Sequence, residues 1–147
     1  MDRLLKTVPI FAGLEHAALE IFLEEAEKSV VPAGAIIARE GESNHCMFLL
    51  GSGSVRIIKH FGEPSQTELA IIPAGDFFGE MCILEPAPRA ATAQAIERCV
   101  IFKVPSCAFH HLYVKLPAQY GILLLNIARD LSRRLRRLDE AFAARHR

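Results

Sequence analysis

Cys46-Met47-Phe48-Leu49-Leu50 and Val55-Arg56-Ile57-Ile58-Lys59-His60-Phe61, parted by Gly51-Ser52-Gly53-Ser54, decide the fold. Both runs are short and rich in aromatic and branched apolar side chains, and a glycine-bearing turn follows each. The same rhythm extends outward in both directions. Val30-Val31 and Ile36-Ile37 come before, and Leu69–Ile72, Ala91–Ile96 and Cys99–Val104 after, with turns carrying Gly34, Gly41, Gly62, Pro64, Pro73 and Gly75. Short β-rich runs separated by turns, rather than by helices, predict a compact all-β roll or barrel from Ser29 to about Val104 and argue against βαβ units.

Helices are expected on both flanks. Residues 15–27 place Leu19, Phe22, Leu23 and Ala26 on one face and Glu20, Glu24, Glu25 and Glu27 elsewhere, an amphipathic pattern. Pro105 suits a first helical turn, with Phe109, Leu112 and Leu116 marking an apolar stripe, and Pro117 starts a longer helix to about Ala144. In that helix Leu124, Ala128, Leu131, Leu135, Leu138 and Phe142 form a heptad seam, shorter than a secure coiled coil needs. The seam can pair with a second copy, giving a homodimer through Leu124, Leu131, Leu135 and Leu138, or lie against the β-roll.

A chain of 147 residues suits one domain with a real core. The formal net charge is zero, which removes whole-domain attraction to nucleic acid or anionic membrane. The basic excess lies past residue 119, where seven Lys/Arg face three Asp/Glu. Ile122-Leu123-Leu124-Leu125 stops at Asn126, well short of the ~18 apolar residues of a membrane span, and Lys6 and Pro9 break any signal-peptide core. Cys46, Cys82, Cys99 and Cys107 lack paired spacing, so free thiols in a reducing cytoplasm are expected.

The chemistry concentrates in Phe77-Phe78-Gly79-Glu80-Met81-Cys82-Ile83-Leu84 and Pro88-Arg89-Ala90-Ala91-Thr92. A tight glycine turn opening a helix presents unpaired N–H groups to an anion. Arg89 offers a planar two-pronged contact to a phosphate, and ionised Glu80 accepts the hydrogen of a ribose hydroxyl. Together these match the demands of a cyclic phosphodiester on a ribose. Taken singly, Glu80 reads as a first-turn acid favoured by the helix dipole and Arg89 as a surface cation.

Gly79-Glu80-Met81 followed by Arg89-Ala90-Ala91-Thr92 resembles the phosphate-binding cassette of cyclic nucleotide-binding domains, the type found in cAMP receptors, protein kinase A regulatory subunits and cyclic-nucleotide-gated channels. The segments Leu5–Leu14, Pro32–Glu42, Met47–Val55 and Pro73–Glu80 resemble the family's other landmarks in order, so the resemblance covers roughly residues 4 to 138. It implies a mainly β fold with flanking helices: an eight-stranded jelly roll (a double-stranded β-helix) interrupted once by the cassette's short helix. A single domain over 1–147 then divides into N-terminal helices (1–28), β-roll (29–104), hinge helix (105–116) and a lid or dimer helix (117–144).

By the same resemblance Glu80 accepts the ribose 2′-hydroxyl and Arg89 grips an exocyclic phosphate oxygen, backbone N–H groups near Gly79, Met81, Cys82 and Ala90 complete the cradle, and Phe78, Ala91 and Thr92 also belong to the ligand site. Ile57 and Ala70 line the base side. The lid contact falls near Arg134 or Leu135, where Arg134 can stack on the purine; Arg133, Arg134, Arg136 and Arg137 also read simply as a solvated face. Relatives that favour cGMP often carry Thr directly after the arginine. Ala90 stands there, which favours cAMP over cGMP, although Thr92 shares the same strand face and can substitute in part.

Three other functions compete for the same sequence. A cupin-like metal enzyme needs a clustered histidine pair, but His45 and His60 stand alone, and Cys107 with His110 and His111 lacks a second pair, so neither metal nor catalysis is expected. A Crp/Fnr-like transcription regulator needs a DNA-binding module after the long helix; Met1 near the domain start and the polar tail to Arg147 favour a complete short chain, and nucleic acid is not an expected partner. A docking scaffold that binds no nucleotide is disfavoured by the intact Glu80 and Arg89. The reading is a cytoplasmic cAMP-binding regulatory domain signalling to an effector protein, whose C-terminal helix closes over the bound purine.

Overall fold

The computed structural model describes residues 2–146. Met1 and Arg147, which bear on the expectation of a complete short chain, lie outside the described residues. The chain opens with α1 (Asp2–Thr7), a 3-10 turn at Pro9–Phe11 and α2 (His16–Glu25). Five strands follow: β1 (Glu27–Val31), β2 (Ile36–Ala38), β3 (Cys46–Ser52), β4 (Ser54–Lys59) and β5 (Thr67–Pro73). The cassette region supplies β6 (Phe77–Phe78) and α3 (Met81–Leu84), after which come β7 (Thr92–Ala95), β8 (Cys99–Pro105), α4 (Ser106–Lys115) and α5 (Pro117–Arg145).

The strands form two four-stranded sheets, ordered β1-β8-β3-β6 and β2-β7-β4-β5. Every neighbouring pair is antiparallel. This is the expected mainly β, eight-stranded roll with flanking helices. Two boundaries differ from the sequence reading. The first long helix ends at Glu25, so Glu27 already belongs to β1. Pro105 closes β8 and caps α4 from outside rather than entering its first turn.

The unbroken apolar run Cys46–Leu50 has a structural reason. The first sheet lies between the second sheet and the helices, so β3 is buried on both faces over Cys46–Leu50. Cys46, Phe48 and Leu50 face the core between the sheets with Phe78, Cys99 and Ile101. Met47 and Leu49 face the opposite way, into a core with Phe77, Val104, Phe22, Phe109, Leu112, Leu123 and Ile127. The two residues of β6 divide in the same manner. At the β3–β4 turn Gly53 has φ +88°, and a Cβ there would meet the Arg98 carbonyl at 2.5 Å, so the turn requires glycine.

The base of α5 is tied down by polar as well as apolar contacts. Gln119 Oε1 accepts the Glu15 amide at 2.7 Å, and Asn126 Nδ2 donates to the carbonyls of Ile10 and Ala12. Leu123 and Ile127 are fully buried beneath it. Beyond Leu131 the apolar seam is uncovered, and Leu135, Leu138 and Phe142 are 60%, 67% and 65% exposed. The heptad seam is thus split: Leu124 and Leu131 are partly buried, and its distal half is open. No helix among the described residues is long and apolar enough to cross a membrane.

Candidate functional site

The cassette begins where β6 pairs with β3, through Phe48 opposite Phe78 and Leu49 opposite Phe77. That pairing, with the Phe48 and Phe78 rings stacked at 5.0 Å, fixes where the following turn emerges. Gly79 makes the turn at φ +81°, and a Cβ at this position would come within 2.5 Å of Arg89 Nη1. Glycine is required twice here, by backbone conformation and by the approach of the arginine. Glu80 then caps α3, a single four-residue turn.

Arg89 is drawn into the end of the roll by neutral groups. Its Nε donates to Asn44 Oδ1 at 2.7 Å, and Nη2 donates to the Cys46 carbonyl at 2.6 Å and lies 3.2 Å from the Cys46 thiol. Nη1 reaches only the Gly79 carbonyl, at 3.4 Å. The guanidinium sits 5.3 Å from the centre of the Phe48 ring. Burial pushes the Cys46 thiol upward despite Arg89 beside it, and pushes the Cys82 thiol up to about 11, so both stay uncharged. Among the described residues no carboxylate forms an ion pair with Arg89, and its positive charge is left for another anion.

Glu80 is nearly inaccessible, its side chain 3% exposed, and it is not alone. Arg134 Nη1 donates to Glu80 Oε1 at 2.6 Å, while Arg134 Nε lies 3.0 Å from Asp130 one helical turn back. The Arg134 guanidinium also rests 5.6 Å from the centre of the Phe77 ring. Burial raises the Glu80 carboxyl above its ordinary range, Arg134 pulls it down, and the nearby Asp130 pushes it up again. One buried acid thus relies on a cation from α5 that it shares with a second acid.

The remaining expected residues fall around these two charges. Phe78 is core, while Met81 and Ala90 are exposed and Cys82 and Ala91 half-buried. Ile57 and Ala70 are direct cross-strand partners, the first half-buried and the second exposed on the edge strand. Thr92 is buried, and its hydroxyl accepts the Glu40 amide at 3.0 Å, which commits that oxygen to anchoring the β2–β3 loop. Lys59 Nζ donates to the Ala90 carbonyl at 2.8 Å, a contact the sequence reading did not name. Asn44, Cys46 and Asp130 were also missed. Their signal, a polar Glu-Ser-Asn loop before a strand and an Asp four residues ahead of an Arg, is visible only once Arg89 and Arg134 have been placed.

The family model described as the cyclic nucleotide-binding domain matches residues 28–115. The chain is 31% identical over 136 residues to the cyclic AMP receptor protein of Thermus thermophilus, covering 92% of this chain and 61% of that protein. It is 34% identical over 110 residues to a cyclic nucleotide-gated potassium channel of Mesorhizobium japonicum, covering 75% of this chain and 29% of the channel. The solved structure of the Thermus thermophilus catabolite activator protein matches with a TM-score of 0.76 and 29% identity, over 92% of this chain and 62% of that one. The chain therefore spans about three fifths of the length of the regulators it matches.

Proposed function

The chain belongs to the cyclic nucleotide-binding domain family, and from that premise we propose that it is a non-catalytic cytoplasmic sensor whose cassette takes cAMP in preference to cGMP. The observation that carries this reading is the pair of opposite charges offered by one cassette. Arg89 has no carboxylate partner among the described residues, and Glu80 is 2% exposed with one oxygen taken by Arg134. In this reading a cyclic phosphate docks on the Nη1 edge of Arg89, whose contact with Gly79 is long. The ribose 2′-hydroxyl donates to Glu80. Methyl-bearing Ala90 gives no hydroxyl to a guanine amino group, and the ion-paired Lys59 holds the Ala90 carbonyl in place.

The signal would then travel through Arg134. A ribose hydroxyl on Glu80 competes with the arginine for the same carboxylate, and the released guanidinium can move onto the purine face. The helix that closes over the nucleotide in this mechanism already leans on the cassette, so its movement is a change of partner more than a long swing. Ligand shifts the helix only to the extent that it binds one arrangement better. The open distal seam of Leu135, Leu138 and Phe142 supplies the output surface, for a second copy or an effector protein. The likeness to the Thermus receptor favours the sensor part of a regulator of that kind as the setting.

Calorimetric titration with cAMP, cGMP and AMP side by side tests the ligand. Tight binding of cAMP, weaker binding of cGMP and none of AMP is the expected order. Equal heats for all three would remove the cassette reading. Equal hydrogen-exchange protection of residues 117–144 with and without cAMP would remove the helix mechanism while leaving the binding site intact.

A further inference from the structure

We propose that Asn44 is the positioning residue for Arg89, with Glu42 fixing the direction of its amide. The inference rests on the cassette binding an anionic phosphodiester, and it assigns a role to a loop outside the cassette. The loop between β2 and β3 clips onto the arginine at both backbone and side chain. The Arg89 amide donates to the Glu42 carbonyl at 2.8 Å, and the Gly41 amide donates to the Arg89 carbonyl at 2.8 Å. Asn44 Oδ1 then accepts Arg89 Nε at 2.7 Å.

An asparagine amide has an acceptor end and a donor end, and only the acceptor suits a guanidinium. Glu42 selects that end. Its Oε2 accepts Asn44 Nδ2 at 2.8 Å, which leaves Oδ1 facing Arg89. Its Oε1 accepts the Arg39 amide at 3.0 Å, so the carboxylate is itself held in place. A relay from Glu42 through Asn44 therefore orients the arginine with a neutral acceptor, one residue removed from any negative charge. A carboxylate placed directly on Nε would orient the guanidinium equally well but would satisfy the charge that the phosphate needs. With Nε and Nη2 held by Asn44 and Cys46, the free edge is Nη1, on the side where Gly79 has no side chain.

The test reads Arg89 and the nucleotide separately. In ligand-free protein, the Arg89 Nε–H should give a slowly exchanging NMR signal, and Asn44→Ala should abolish it while leaving the melting temperature near wild type. Asn44→Ala should also weaken cAMP about ten-fold, the scale of one hydrogen bond to a charged group. Glu42→Ala should have a smaller effect in the same direction. Because Asn44 acts through Arg89, adding Asn44→Ala to Arg89→Ala should cost no further affinity. An unchanged Nε–H signal in Asn44→Ala overturns the proposal, as does an equal ten-fold loss in the Arg89→Ala background. Should wild-type protein bind no cyclic nucleotide, the sensor reading fails, and the Nε–H signal alone still decides whether Asn44 positions Arg89.

Discussion

Arg89 and Glu80 lie nine residues apart in one cassette, yet different parts of the fold hold them. Arg89 belongs to the β-roll: its partners Asn44 and Cys46 and the ring of Phe48 come from β3 and the loop before it. Those partners are neutral and local to a doubly buried strand. Glu80 belongs half to the roll and half to α5, because its partner Arg134 stands on that helix, just before the stretch whose apolar side chains are open. The arginine end is therefore held by the roll alone, and the acid end is also held by the helix. On the proposed function, one charge would bind the ligand and the other would report it.

The sharpest way to break this comparison is to remove the anchor. Arg89→Ala deletes the unneutralised cation, and truncating a buried charge partner costs about 2–5 kcal/mol, so cAMP affinity should fall by roughly thirty-fold or more in calorimetry. An unchanged dissociation constant would sink the assignment of the phosphate site. Gly79→Ala should come next, at about ten-fold, since the new Cβ strains a turn at φ +81° and displaces Nη1 without removing the charge. If Gly79→Ala binds as well as wild type, the Nη1 edge is not where the phosphate sits.

Much of this arrangement was legible in the sequence, for a reason that separates its two halves. Gly79, Glu80 and Arg89 are local to one segment whose chemistry is readable without knowing the fold. The roll was legible because Cys46–Leu50 and its neighbours are short apolar runs cut by turns. That both faces of β3 are buried was not, because an unbroken apolar run does not say what covers each face. The partners of the two charges were also hidden. Asn44 is 45 residues from Arg89 and Arg134 is 54 from Glu80, so only folding makes either pair. The heptad spacing offers the seam from Leu124 to Phe142 as one continuous stripe, and the structure leaves Leu135, Leu138 and Phe142 open beyond Leu131. The period is continuous there, but the apolar cover ends.

A third prediction sharpens the acid end through pH. Burial raises the Glu80 carboxyl above the ordinary carboxylate range, so the folded protein holds that proton more tightly than the unfolded chain does. The stability this contributes is fully present below the unfolded value and is lost as pH rises through the folded one. Glu80→Gln removes the titration. Its melting temperature relative to wild type should therefore be more favourable at pH 7 than at pH 4, with cAMP affinity down only several-fold at pH 7 because the amide oxygen still accepts the ribose hydroxyl. A melting-temperature difference that is the same at both pH values would mean that the buried carboxyl does not titrate in this window.

The smallest effect on affinity should come from Arg134, and it separates anchoring from reporting. Arg134→Ala leaves Arg89 and its clip untouched, so cAMP binding should stay within about three-fold of wild type by calorimetry. It removes the cation that pairs with Glu80 and frees the helix beyond Leu131, whose Leu135, Leu138 and Phe142 are already exposed. Hydrogen exchange over residues 131–145 should quicken in the ligand-free variant. It should also lose most of its response to cAMP, because the contact that the ribose competes for is gone. The base of the helix is held independently by Gln119, Leu123, Asn126 and Ile127, so exchange over residues 119–127 should not change. A variant that keeps the full cAMP response beyond Leu131 would show that the nucleotide reaches α5 by another route, and Glu80 would then be an anchor like Arg89.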